Sequence, residues 1–198
     1  MFNSGYVRSI TFGAPTFEPQ KVSTLPETLD LRNQIGSVID QGTRGICVSA
    51  CVTDMLKYIY AGTDRKYRKH VDFFYNHRSD KKIDGMSPRN AFEIAQANSL
   101  VLSFAMLRSV QAIKVALLAN GPVLIALPVY TFVSDFWRKT VAQQKPEGYH
   151  AVTLVGYDDK EGDFILRNSW GVTWGFSGYT YFPYTEQSTI MEAWTVFK

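Results

Sequence analysis

Four side chains in this 198-residue chain could share one reaction. Gln41 and Cys47 bracket the run Gln41-Gly42-Thr43-Arg44-Gly45-Ile46-Cys47, His150 follows Gly148-Tyr149, and Asn168 opens Asn168-Ser169-Trp170-Gly171. In chain order they are an amide, a thiol, an imidazole and a second amide. The thiolate is the attacking form of cysteine. A nearby imidazole can hold it as an ion pair and then pass the proton to a leaving group. Such a set suits nucleophilic attack on an acyl carbon.

The elements that would position these groups can be read from periodicity. Cys47, Val48, Cys51, Val52, Met55, Leu56 and Ile59 recur at helical spacing, and the pattern stops at Gly62. Cys47 then sits at a helix start, where the helix dipole favours an anion. Gly42 and Gly45 allow the tight turn into that helix and leave room for a second backbone. Cys51, one turn further in, reads as core. Two cysteines four apart on one helix are poorly placed for a bridge, so no disulfide is expected. Of the three histidines, only His150 opens a strand-like run, through Gly156-Tyr157. His70 and His77 lie in polar surroundings.

A second helix is expected from Ser87-Pro88 to Ala97, with proline at an early helical position where its missing N–H is harmless. A third runs from about Ser109 to Ala119 and stops at Asn120-Gly121-Pro122. Val71 to Tyr75 is a short apolar-aromatic run that fits helix or strand. Val123 to Val129, His150 to Tyr157, Asp163 to Asn168 and Gly178 to Pro183 read as strands. Helices first and strands later predict an α+β fold, with a helical lobe carrying the nucleophile and a sheet lobe carrying His150 and Asn168. Residues 1–24, interrupted by Gly5, Gly13, Pro15 and Pro19, read as an N-terminal extension, with the ordered body starting near Leu25.

Composition narrows the partners. Hydrophobic residues make up 45% and aromatics 14%, enough for a core and far from a disordered chain. A net charge of +3 is too small to argue for nucleic acid. The basic run Arg65-Lys66-Tyr67-Arg68-Lys69-His70 reads as a solvated loop or helix face. No stretch approaches the ~20 apolar residues of a membrane span, and the first eight residues lack a secretory signal's basic start and apolar core. We therefore expect no nucleic-acid or membrane partner, a monomer, and an intracellular location or packaging in a particle.

The Gln41–Cys47 run resembles the Gln-Gly-x-Cys-Gly-Ser-Cys-Trp motif of papain-like cysteine proteases, peptidase family C1. Arg44 replaces the motif's first cysteine and Val48 its tryptophan. The residues from His150 to Gly156-Tyr157, and Asn168-Ser169-Trp170-Gly171, match the family's histidine and asparagine motifs. Leu25-Pro26-Glu27-Thr28-Leu29-Asp30-Leu31-Arg32 is similar to the start of the mature domain, and Asn120-Gly121-Pro122-Val123 to a strand entry. The resemblance implies a papain-like two-lobe fold with a cleft between a helical lobe (about 25–108) and an antiparallel sheet or barrel lobe (about 109–198). It implies an endopeptidase that works through a thioacyl-enzyme, without metal or organic cofactor.

By the same resemblance, Cys47 is the nucleophile and His150 the proton shuttle. Asn168 accepts the imidazole N–H, Trp170 covers that bond, and the Gln41 amide donates to the oxyanion. The substrate is a peptide or protein whose apolar or aromatic side chain, two residues before the cut, sets the preference. Gly85, Met86, Pro88, Tyr149 and Trp170 are the candidate contacts. Asp84-Gly85-Met86-Ser87-Pro88 stands where the family has Cys-Asn-Gly-Gly, which suggests a short, disulfide-free branch of the kind found in microbes and large viruses. Residues 1–24 are too short for the family's long helical propeptide. They are either a loose leader or a segment lying across the cleft, and Phe2, Tyr6, Phe12 and Phe17 would suit docking into apolar pockets. Two rival functions stand beside this one: a catalytically silent papain-fold binding module, and a thiol acyl-transferase or isopeptidase. Retention of all four catalytic residue types speaks against the first.

Overall fold

The computed structural model describes residues 5–17, 24–61, 64–140, 142–143 and 145–198, without the side chains of 64–69. Among these residues the helices are α1 (Cys47–Ile59), α2 (Asp64–Asn76), α3 (Pro88–Ala97) and α4 (Val110–Asn120). The strands are β1 (Thr28–Asp30), β2 (Ser103–Met106), β3 (Val123–Val129), β4 (Gly148–Asp158), β5 (Asp163–Arg167), β6 (Tyr179–Pro183) and β7 (Glu192–Phe197). Ser87 caps α3 by accepting from the Asn90 N–H, and Ser109 caps α4 by accepting from Ala112. Val71 to Tyr75 is helical and forms the C-terminal part of α2, which buries Val71 and Phe74. The Arg65–Lys69 side chains, the greater part of the basic run, lie outside the described residues.

The strands form one antiparallel sheet in the order β2-β7-β3-β4-β5-β6, with β1 also pairing to β4. The sheet is open rather than closed into a barrel. β1 and β2 come early in the chain, yet both belong to it. β4 is the anchor: β3 and then β1 line one of its sides, while β5 lines the other. His150 therefore sits on a strand whose backbone groups are bonded to neighbours, a rigid mount for an imidazole.

Side chains alternate across this sheet, so each face meets its own layer. Leu124, Ala126, Ala151, Trp194 and Val196 pack against α1, α2 and α3. Val123, Ile125, Leu127, Val152 and Leu154 pack against α4 together with Phe136 and Trp137. A buried ion pair ties the nucleophile helix to the sheet. Arg167 at the end of β5 donates through Nε to Asp54 of α1 at 2.8 Å, and its other nitrogens reach the Gly36 and Ser37 carbonyls and the Tyr179 hydroxyl. Removing one partner of such a pair typically costs about 3–5 kcal/mol, because the other charge stays buried.

Residues 5–17 lie against the folded body. Tyr6 forms a parallel bridge with Met86, and Thr16 another with Met106. The second bridge covers the free edge of β2: Met106 donates to the Pro15 carbonyl at 2.8 Å, and Phe17 donates back at 2.8 Å. No helix among the described residues is long and apolar enough to cross a membrane.

Candidate active site

Cys47 is the first residue of α1, as its periodicity predicted. Backbone N–H groups of Ala151, Val48, Gly5 and Cys47 itself face its sulfur and favour the thiolate. Two of these belong to the helix start, one to the residue after His150, and one to the N-terminal segment. Burial outweighs them and pushes the thiol up to about 11. Cys47 and Cys51 are both buried free thiols.

His150 is fully buried on β4. Trp170 stacks on its ring with centroids 4.6 Å apart, and Phe136 meets it edge-on at 5.7 Å. Its Nε2 donates to Asn168 Oδ1 at 2.8 Å. The same oxygen accepts the Ser169 N–H at 2.7 Å, which fixes the orientation of the Asn168 amide. The other ring nitrogen, Nδ1, is buried without a hydrogen-bond partner among the described residues, so it is the one left for the thiol. Desolvation lowers His150 to about 4, against the smaller upward pull of Asn168.

Gln41 stands in the turn before α1, buried, with both ends of its amide engaged. Its Oε1 accepts from the Ser169 hydroxyl at 2.6 Å, and its Nε2 donates to the Arg44 carbonyl at 3.0 Å. Ser169 thus serves both amides: its N–H holds Asn168 and its O–H holds Gln41. The sequence placed Ser169 inside the asparagine motif but gave no reason to assign it a task, because a serine beside a tight turn has many ordinary uses.

Two glycines, Gly5 and Gly85, let a second backbone reach the thiol. A Cβ on Gly5 would lie 1.9 Å from the Gly45 carbonyl oxygen, and one on Gly85 would lie 2.4 Å from that of Gly5. Gly85 also has φ +151, a conformation that side chains disfavour. The segment pairs with the next residue: Met86 donates to the Gly5 carbonyl at 2.9 Å, and Val7 donates to the Met86 carbonyl at 3.1 Å. Tyr6, between them, is buried and meets Tyr149 edge-on at 6.2 Å. Gly85, Met86 and Tyr149 therefore line the groove holding residues 5–7. Pro88 is buried at the start of α3, and Trp170 lies on His150 rather than along that groove.

A family model described as papain family cysteine protease matches residues 52–196. The chain belongs to the papain family of cysteine proteases. The matched span takes in His150 and Asn168 and begins just beyond Cys47, so the nucleophile's assignment rests on its motif and on the geometry above. Among curated relatives of this family member, an uncharacterized peptidase C1-like protein of Acanthamoeba polyphaga mimivirus is 27% identical over 85% of this chain and 68% of its own length. A gut-specific cysteine proteinase of Caenorhabditis elegans is 31% identical over 48% of the chain, which spans about a third (31%) of that protein. Among solved structures, the cysteine protease xylellain from Xylella fastidiosa aligns with a TM-score of 0.76 at 20% identity, covering 98% of this chain and 95% of that one. A procathepsin B from Trypanosoma congolense aligns at 0.74 and 15% identity, over 98% and 87%. These two show the papain-like fold.

Proposed function

We propose that the chain is a papain-type cysteine endopeptidase covered by its own N-terminal segment. The observation that carries this reading is the His150–Asn168 bond at 2.8 Å beneath Trp170, with Nδ1 free beside the helix that starts at Cys47. In the proposed reaction the Cys47 sulfur attacks the scissile carbonyl carbon, and His150 first takes the thiol proton. The Gln41 amide and the Cys47 N–H steady the oxyanion. His150 then protonates the leaving amine as the C–N bond breaks. Water, deprotonated by His150, hydrolyses the thioester and regenerates the thiol.

Residues 5–7 oppose this chemistry in two ways. They fill the groove, and of the described residues it is Gly5 that turns its N–H toward the sulfur. They also keep water out. Burial pushes the thiol up to about 11 and the imidazole down to about 4, which favours the neutral pair over the ion pair that attack requires.

Gly5→Ala in the full chain is the direct test, because its Cβ has no room against the Gly45 carbonyl. We expect this variant to release free amine from short peptides in a Cys47-dependent manner, at least about tenfold faster than the parent chain. Failure to cleave any peptide would favour the silent binding module. Transfer of the acyl group to an added amine would favour the acyl-transferase.

A further inference from the structure

The wall that pairs with residues 5–7 is anchored by a carboxylate outside the reacting set. Asp84 immediately precedes Gly85 and Met86, and its Oδ1 accepts twice: from the Gly45 N–H at 3.2 Å and from the Tyr75 hydroxyl at 2.5 Å. Gly45 lies two residues before the nucleophile, and Tyr75 is on the last turn of α2. One oxygen thus joins the turn into α1, the end of α2 and the loop that carries Gly85 and Met86. The approach is close: a Cβ on Gly45 would lie 2.6 Å from both Oδ1 and the carbonyl oxygen of Asp84. Bonds to a charged acceptor are the strong ones.

Tyr75 is itself held by two guanidinium groups. Arg78 lies over its ring at 3.8 Å and Arg44 at 5.5 Å. Arg44, the neighbour of Gly45, also pairs with Asp72 of α2 at 2.6 Å. Such an exposed pair contributes little stability alone, but it ties the same turn to the same helix. Arg78 donates to the carbonyls of Tyr75, Lys81 and Ile83 at 2.6, 3.2 and 3.2 Å, which braces the loop up to the residue before Asp84. Burial and the bond to Asp84 push the Tyr75 phenol upward, which keeps it protonated as a donor.

This bracing matters because Met86 is the residue that grips an extended backbone. It donates to the Gly5 carbonyl and accepts from the Val7 N–H, while Gly5 itself faces the sulfur. One extended chain can satisfy both Met86 and Cys47 only if their spacing is fixed. We propose that Asp84 is a positioning residue that sets this spacing, by fastening the Met86 wall to the turn before Cys47, so that a docked peptide meets the thiol in register. This rests on the reading of the cleft as a peptide-binding site. Asp84 acts through Gly45 and Met86, and a displaced wall weakens the docking of a peptide rather than the reactivity of the thiol.

Two measurements on the full chain test the proposal. The first needs no catalysis: the rate at which iodoacetamide alkylates Cys47, read by mass, in the parent chain and in Gly5→Ala, each with and without Asp84→Ala or Asp84→Asn. In the parent, residues 5–7 are the peptide on this wall, so Asp84→Ala is expected to release them and speed labelling about tenfold. Asp84→Asn keeps an acceptor oxygen for both donors and stays within about threefold of the parent. In Gly5→Ala the cover is already displaced and the small reagent does not use the wall, so adding Asp84→Ala leaves that rate unchanged. Equal rates for the parent and Asp84→Ala would overturn the proposal. Faster labelling in both backgrounds would also overturn it, because a merely loosened fold exposes the thiol in each. The second measurement follows peptide cleavage by Gly5→Ala. Adding Asp84→Ala is expected to raise KM about tenfold with kcat within about twofold, and Asp84→Asn to keep KM near its original value. A fall in kcat with KM unchanged would overturn the proposal. If no peptide is cleaved while the labelling rates differ as expected, the proteolytic reading fails and the role of Asp84 stands.

Discussion

The two walls of the cleft are built on different principles. On the sheet side, His150, Asn168 and Trp170 are held by a paired strand, by Ser169 and by aromatic rings, and none of these contacts involves the N-terminal segment. On the helix side, the groove beside Cys47 is made of Gly45, Gly85 and Met86 and is filled by residues 5–9, whose Tyr6 hydroxyl and Ser9 N–H donate to the buried Glu192 carboxylate. One wall is permanent and the other is finished by an occupant. The difference separates the catalytic geometry, which the sheet holds, from access to it, which the N-terminal segment covers.

Breaking the permanent wall has the largest expected effect. In the Gly5→Ala chain, Gln41→Ala is expected to keep the fold and lose about 100-fold or more in turnover, the usual cost of an oxyanion donor. Unchanged kcat would remove Gln41 from the reaction. Arg167→Met attacks the tie between α1 and the sheet. It leaves Asp54 buried with only Lys57 at 3.4 Å, and thermal unfolding is expected to fall by roughly 10 °C. An unaltered Tm would mean that the pair carries no stability.

A smaller change sharpens the comparison. Ser169→Ala removes the hydroxyl on Gln41 but keeps the N–H on Asn168, so turnover is expected to drop about tenfold while KM stays near its original value. An equal rise in KM would show that Ser169 shapes the groove instead.

The smallest effect concerns pH and the completed wall. His150 lowered from 6.5 to about 4 gives the covered form stability that is complete above about pH 6.5 and lost as pH falls toward 4. Cys47 raised from 9.0 to about 11 gives stability that is complete below about pH 9 and lost as pH rises toward 11. The Tm of the full chain is therefore expected to be highest between about pH 6.5 and 9. A flat profile below pH 6.5 would contradict the buried, neutral His150.

The two walls were also unequally legible in the sequence. Cys47, His150 and Asn168 stand in runs that read as a helix start, a strand start and a strand end. The structure places Cys47 and His150 in those elements and Asn168 one residue past the end of β5. Gly5 looked like punctuation in a tail, and Gly85 stood out only as a contact that the family resemblance implied. Their task is to let two backbones touch, which depends on residues far apart in the chain, and no local pattern encodes it. Glu192 escaped for a related reason. No local pattern in Glu192-Ala193-Trp194-Thr195-Val196-Phe197 marks the carboxylate, and only the structure shows it buried where Tyr6 and Trp194 donate to it. The α2 helix was half visible, because its apolar residues cluster in the last turns and the polar start of its sequence hides the period.

The central claim is that residues 5–17 cover a competent thiol. The most direct test treats the parent chain, Gly5→Ala and Gly5→Ala/Cys47→Ala with a peptidyl epoxide and weighs each by mass spectrometry. The expected result is one adduct at Cys47 that forms much faster in Gly5→Ala than in the parent, and none in the double variant. Equal labelling of the parent and Gly5→Ala, or no adduct in either, would contradict it.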